Sequence, residues 1–223
     1  KFSNKQTDLP HMLPDKNKWG KIISNLGIKN QDRIIIYDNS DVISSCRCWY
    51  TFIFFGHNPN LISVLNGGFG KWKKENRKTT KKNSNYNKEN YKAKKIKKLV
   101  KVKKEIIKNI IAKKFKVVDA RSKNRFLGLE SEPRHGLKSG SIQNSFCLPF
   151  NELINTIDKT FIKKNLIKKK FKKIGLKKEI NVVFSCGSGI TATVLALAYS
   201  MINDKYLPTI YDGSWAEYGK IKY

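Results

Sequence analysis

Val182-Val183-Phe184-Ser185-Cys186-Gly187-Ser188-Gly189-Ile190-Thr191, followed by Ala192-Thr193-Val194-Leu195-Ala196-Leu197-Ala198, is the stretch on which the reading of this 223-residue chain turns. Three apolar residues that run into glycines predict a short buried strand, and the alanine- and leucine-rich run predicts a helix. Cys186 is therefore expected in a strand-to-helix loop. The first turn of a helix offers unpaired N–H groups and a positive dipole end, which favour a thiolate, the reactive form of cysteine. Gly187 and Gly189 let such a loop curl so that its N–H groups form a nest around an anionic sulfur. A buried, inert cysteine beside a turn is the alternative. The glycines on both sides of Ser188 favour the reactive reading.

Outward from this stretch, strands alternate with helices, which predicts an α/β fold with parallel sheets covered by helices. Asp15 is a plausible cap for a helix carrying Trp19, Ile22, Ile23 and Leu26. Gly27 ends it; Ile34-Ile35-Ile36-Tyr37 reads as a buried strand, 38–44 as a loop, and a second helix carries Trp49, Phe52, Ile53 and Phe54. Residues 55–60 read as a turn that includes His57, and 61–65 as a strand leading to Asn66-Gly67-Gly68. The plan then recurs. Gly27 and Gly175, like Asp38 and Cys186, stand 148 positions apart, and Asn66-Gly67-Gly68-Phe69 answers Asp212-Gly213-Ser214-Trp215 at an offset of 146. Two copies of one domain are visible. In the first, Asp38 occupies the position of Cys186, so only the second can carry thiol chemistry there.

Between the copies, 71–90 is rich in lysine and asparagine and reads as an exposed linker. A helix with Val102, Ile106, Ile107, Ile110 and Ile111 on one face follows, then a strand over 115–119. The loop after it carries Arg121, Arg125 and Arg134 in a chain that otherwise prefers lysine. A planar guanidinium grips a carboxylate with two parallel hydrogen bonds, which lysine cannot do. A structural bridge to Glu130 or Glu132 is the alternative for Arg125 and Arg134; Arg121 is read as such a bridge, to Asp119. A further amphipathic helix carries Ile167, Phe171 and Ile174.

The loop Cys186 to Thr191 resembles the active-site loop of the rhodanese superfamily, in its mercaptopyruvate sulfurtransferase version; the thiosulfate version carries basic residues after the cysteine. Tyr211-Asp212-Gly213-Ser214-Trp215-Ala216-Glu217-Tyr218 is similar to that family's C-terminal signature, and the resemblance covers nearly the whole chain. It implies two rhodanese-like domains, each a parallel sheet flanked by helices, with no metal or cofactor. It also implies Cys186 as the nucleophile that becomes a persulfide, with Gly187, Gly189, Ile190 and Thr191 holding the anionic sulfur. Ser188 matches the family's proton relay, and His11, in Asp8-Leu9-Pro10-His11-Met12-Leu13-Pro14, its histidine. Arg125 and Arg134 match the pair that holds the substrate carboxylate. The donor would be 3-mercaptopyruvate, the acceptor cyanide or a thiol such as thioredoxin or a small dithiol. Ser141, Gln143 and Asn144 depart from the family's turn of histidine, proline and glycine; that turn leads into Phe146-Cys147-Leu148, read as buried.

The expected division is 1–74, a non-catalytic first domain; 75–90, a basic linker; and 91–223, the catalytic domain. By the offset, the first domain's counterpart of Val118 would precede Lys1, so that domain is expected to be incomplete at its N-terminus and prone to aggregate. Lys+Arg number 46 against 17 Asp+Glu, a net charge of +29, but the excess is mostly lysine spread along the chain. It is read as solvated helix faces and not as a surface for nucleic acid. Cys46, Cys48, Cys147 and Cys186 fit no metal spacing or disulfide framework, and Cys46 and Cys48 read as packing residues. A reducing compartment, the cytoplasm, is expected. No apolar run reaches bilayer-spanning length. A dual-specificity phosphatase would need arginine where Ala192 stands, and a phosphate-binding loop would need lysine at Ile190. Thiosulfate sulfurtransfer and a non-catalytic binding module with a basic linker remain the rival readings.

Overall fold

The computed structural model describes residues 2–4, 6–40, 43–176 and 181–221. The first half contains α1 (Lys16–Asn25), β1 (Ile34–Ile36), α2 (Ile43–Phe54), β2 (Ile62–Val64) and α3 (Gly68–Lys74). The second contains β3 (Val100–Lys101), α4 (Lys103–Ala112), β4 (Lys116–Asp119), α5 (Lys123–Leu127), β5 (Phe146–Cys147), α6 (Lys164–Lys173), β6 (Val182–Ser185), α7 (Ala192–Ser200), β7 (Ile210–Tyr211) and α8 (Ser214–Tyr218). Asp15 caps α1 as its sequence position suggested, accepting the N–H of Asn17 at 2.7 Å.

All strand pairs within the two sheets are parallel. β1 pairs with β2, and the second half forms a five-stranded sheet in the order β3-β7-β6-β4-β5. In register, Asp119 at the end of β4 lies beside Ser185 at the end of β6, so the loops that follow these strands share one edge of the sheet. That edge is where a parallel α/β sheet exposes its functional loops. The two halves share one core: Trp19, Phe52 and Phe55 from the first join Phe184, Leu195 and Tyr199 from the second, with α2 packed on α7.

The duplication is visible in backbone detail. Phe69 N–H donates to the Asp38 carbonyl at 2.8 Å, and Trp215 N–H donates to the Cys186 carbonyl at 2.9 Å, the same bond at the matching place in each copy. Gly68 at φ +58° is answered by Ser214 at φ +48°. Asp38 fills its own loop: its carboxylate accepts the N–H groups of Ser40 at 3.0 Å and Ser45 at 2.6 Å.

Several expectations need correction. The 34–37 strand is shorter and half-exposed: β1 stops at Ile36, and Ile35 and Tyr37 are 62% and 60% exposed. α2 contacts this small sheet, and alternate side chains of a strand face opposite ways, so Ile35 and Tyr37 point outward together. Of the apolar face expected on α4 only Ile106 is buried, with Ile110 half-buried; Ile107 is exposed, Ile111 is 89% exposed, and Val102 precedes the helix. Neighbours on a helix lie about 100° apart, so a stripe holding both Ile106 and Ile107 is wider than this helix's contact with the sheet. His57 does lie in the turn after α2, but it is buried: Nε2 sits 3.1 Å from the Asp32 carbonyl and the ring stacks on Tyr91. In the 146–148 segment Leu148 is buried, whereas Phe146 and Cys147 are half-buried. Cys46 is in the core and Cys48 is half-buried.

Residues 75–90 are almost all exposed and carry no helix or strand. The chain then returns to the first half, where Lys94 and Ile96 donate to the carbonyls of Phe55 and Phe54 at 3.0 and 2.8 Å. Positions 41 and 42 of the expected 38–44 loop lie outside the described residues.

Candidate active site

β6 delivers Cys186 to the sheet edge, and α7 begins six residues later at Ala192, so the intervening loop is the strand-to-helix turn expected from sequence. Cys186 is buried, with 2% of its surface exposed. The Gly189 N–H points at its Sγ at 3.1 Å, and the Ser214 hydroxyl lies 4.0 Å from the sulfur while accepting the Cys186 N–H at 3.1 Å. Ser214 is itself held by a bond to the Tyr211 carbonyl at 2.8 Å. A sulfur anion here would meet the Gly189 N–H, which favours charge in a site with little access to water, while the Ser214 proton is committed to the Tyr211 carbonyl.

Ser188 faces the first half. Its Oγ is 2.9 Å from His11 Nδ1, a contact that crosses 177 positions of sequence and places a hydroxyl and an imidazole in proton-transfer range. Burial pushes the His11 pKa below its ordinary value of 6.5, and the Arg134 and Arg47 charges push it the same way. The ring is therefore neutral at neutral pH. Ile190 and Thr191 complete the loop; Thr191 stands at the N-cap of α7, and its carbonyl accepts the N–H of Val194 at 3.1 Å.

On the Gly187 side the two arginines converge. A side chain built on Gly187 would begin 3.2 Å from Arg125 Nη2 and 3.7 Å from Arg134 Nη1. The Arg125 fork already faces Glu132, with Nε to Oε1 at 3.1 Å and Nη2 to Oε2 at 2.6 Å. The structural bridge weighed as the alternative for Arg125 thus exists, on the rim of the cysteine loop. Arg134 has no hydrogen-bond or ion-pair partner among the described residues. Arg121 is a bridge, as its position suggested: Nε and Nη2 hold Asp119 Oδ2 at 2.9 and 2.7 Å, Nη1 holds Glu132 at 2.7 Å, and the guanidinium lies over the Trp215 ring. Burial alone would raise the Glu132 pKa, but the bonds and charges of Arg125 and Arg121 outweigh it and hold the carboxylate ionised.

One residue at the site carries no mark in its local sequence, whereas Glu132 is the bridge partner that its place in the arginine loop suggested. That residue is Arg47, which reaches in from α2. Only six residues in the chain are arginine, and four of them, Arg47, Arg121, Arg125 and Arg134, gather here; that scarcity is the signal that could have found Arg47. The other thiols are poor nucleophiles: burial pushes Cys48 up to about 12 and Cys147 up to about 11. On the far side of His11 a cavity of about 390 Å³ is lined by Pro14, Trp19, Arg47, Cys48 and Ile190. No helix among the described residues is long and apolar enough to cross a membrane.

The chain is 34% identical over 213 residues to the mouse 3-mercaptopyruvate sulfurtransferase, covering 93% of this chain and 69% of that protein. It is 31% identical over 238 residues to the mitochondrial thiosulfate/3-mercaptopyruvate sulfurtransferase 1 of Arabidopsis thaliana, covering 97% of this chain but 62% of that protein. The crystal structure of Tum1 from Saccharomyces cerevisiae superimposes with a TM-score of 0.83 at 28% identity, over 97% of this chain and 76% of that one. The model of the rhodanese-like domain matches residues 4–75 and again 102–220, once in each half, and the chain belongs to the rhodanese-like family.

Proposed function

We propose that the chain is a sulfurtransferase that takes sulfane sulfur from 3-mercaptopyruvate onto Cys186 and passes it to a thiol or to cyanide. The observation that carries this reading is the convergence of Arg125 and Arg134 on Gly187, next to a cysteine whose sulfur meets a loop N–H. Residues 1–74 supply His11 and residues 91–223 the cysteine loop, so both proposed domains build the site, with 75–90 as linker.

In this mechanism the Cys186 thiolate attacks the donor's thiol sulfur. The S–C bond breaks with its electron pair going to the methylene carbon, which leaves Cys186 as a persulfide and releases the enolate of pyruvate. The proton of the persulfide passes through Ser188 and His11 to the enolate, giving pyruvate. An acceptor thiolate then attacks the outer sulfur and returns Cys186 to its thiolate. Arg134, without a hydrogen-bond or ion-pair partner among the described residues, grips the donor carboxylate together with the outer edge of Arg125, while Gly187, Gly189, Ile190 and Thr191 shape the loop around the sulfur.

A neutral loop after Cys186 favours mercaptopyruvate over thiosulfate as donor. The relatives' names include both donors, so the two are assayed side by side. A small dithiol or thioredoxin suits the acceptor role, because Cys186 is exposed by only 2% and demands a slender attacking group. Four free cysteines suit a reducing compartment, in our reading the cytoplasm, although the Arabidopsis relative is named as mitochondrial. The test is donor treatment followed by mass spectrometry. We expect one added sulfur on the Cys186 peptide and loss of all turnover in Cys186→Ser. Substantial activity in that variant overturns the reading.

A further inference from the structure

We infer that Arg47, on α2 of the first half, is a positioning residue that holds the cysteine loop and His11 in register with each other. The inference rests on the sulfurtransferase reading and extends it to a residue that touches neither sulfur nor substrate.

The guanidinium makes three contacts to the second half and to the His11 segment. Nη1 donates to the Gly189 carbonyl at 2.9 Å. Nη2 donates to the His11 carbonyl at 2.7 Å and to Asp212 Oδ1 at 2.7 Å. Asp212 completes the figure, its other oxygen accepting the Leu13 N–H at 2.8 Å. Residues 11 and 13 are thus tied down on both sides of Met12, one through a carbonyl and one through an N–H. That clamp holds His11 in the left-handed region, at φ +60°, where its Nδ1 meets Ser188. A residue with a side chain keeps such a backbone only where surrounding contacts over-determine it, as these do.

Gly189 is the other end of the device. The residue whose carbonyl Arg47 holds is the residue whose N–H points at Cys186 Sγ. A Cβ there would stand 2.6 Å from the Asp212 carbonyl oxygen and 3.4 Å from Arg47 Nη1, so the pair packs flush against the loop. The Arg47–Asp212 ion pair is shielded, with 11% and 5% of the side chains exposed. One planar, multi-donor group thereby fixes the sulfur's N–H donor and the relay histidine at once, which a lysine ammonium on a flexible stem does not reproduce. Arg125 and Arg134 approach the loop at Gly187 and make no hydrogen bond or ion pair with Arg47 or Asp212 among the described residues. The expected signature is therefore a loss in kcat without a loss in donor binding.

The experiment compares wild type, Arg47→Ala and Arg47→Lys in the full chain, with mercaptopyruvate as donor and a small dithiol as acceptor. Misplacing reacting groups by about 1 Å costs on the order of 100-fold in rate, so Arg47→Ala should lower kcat about 10- to 100-fold and leave KM within about threefold. Added guanidinium ion should restore part of kcat in Arg47→Ala. Arg47→Lys keeps the charge opposite Asp212 and serves if the alanine variant does not fold; it should lose about tenfold in kcat at unchanged KM. Folded variants with wild-type kcat, or with losses confined to KM or to thermal stability, overturn the inference. Failure of guanidinium to raise kcat in a folded Arg47→Ala protein overturns it as well. A wild type inactive with every donor would instead overturn the sulfurtransferase reading, so the two failures are distinguishable.

Discussion

His11 and Arg134 show how single side chains at this site are set by their surroundings. The pKa of His11 is pushed down by burial and then by the Arg134 and Arg47 charges, so the folded chain resists protonating it where an unfolded chain would bind a proton. The sign follows: a lowered histidine value leaves stability untouched above 6.5 and removes some of it as pH falls through the lowered value. Activity should follow the same limb, because a protonated His11 has no Nδ1 lone pair to accept the Ser188 proton. We expect kcat/KM to fall on the acid side with a midpoint below 6.5, and His11→Asn to be slow with that limb gone; a limb that persists in the variant assigns it to another group. The arginines separate in a different way. Arg134 has no partner among the described residues, so Arg134→Lys should raise KM for mercaptopyruvate by about 10- to 100-fold, roughly 1.4 to 2.8 kcal/mol, and affect thiosulfate less. Arg125 is bonded to Glu132, and Arg125→Lys should also lower the melting temperature because it strands part of a buried carboxylate. Equal losses on both donors for Arg134→Lys would mean that it does not read the carboxylate.

At the scale of elements, the unit that matters is strand, loop and helix from β6 to α7, closed by the turn that opens α8. Gly189 sits at φ +78° with the Asp212 carbonyl where a Cβ would go, so Gly189→Ala must move either the cysteine loop or the 211–214 turn. We expect a destabilisation of about 1–3 kcal/mol and a kcat loss larger than that of Arg47→Lys, read by thermal melting and steady-state kinetics. An alanine variant with normal kcat would show that the Gly189 N–H contact is dispensable. This unit was legible in the sequence because its signals are local: an apolar strand, two glycines and a helix-forming run lie within seventeen consecutive positions. Arg121 was legible too, since its partner Asp119 stands two residues away. Arg47 was not, because it lies inside an apolar helix and its partners Gly189 and Asp212 are 142 and 165 positions distant. The α4 face and the exposure of β1 were misread for a related reason. Periodicity reports which face is apolar, while burial depends on whether another layer covers it.

For the whole molecule, the two halves repeat one plan but differ in how firmly each sheet is held. β6 is central in its sheet, flanked by β4 and β7, and all four of its residues are buried. β1 is bonded to a single described neighbour, β2, and Ile35 on its outer face is 62% exposed. Two paired strands are marginal by themselves, and an unpaired strand edge leaves backbone N–H groups open to solvent. What anchors this half is α2, whose Trp49, Tyr50 and Phe52 lie in the core shared with α7. Local opening of β1 should therefore cost much less than opening of β6, which requires the central sheet to come apart. In native-state hydrogen exchange we expect amides over 34–37 to exchange at least about 100-fold faster than those over 182–185, with α2 protected nearly as well as β6. Such a gradient would place the mobile part of the first half away from Arg47, whose helix must stay rigid to hold the cysteine loop. Equal protection of β1 and β6 would show that the first sheet is stabilised by more than its pairing with β2 and its packing on α2, and an unprotected α2 would contradict the shared core.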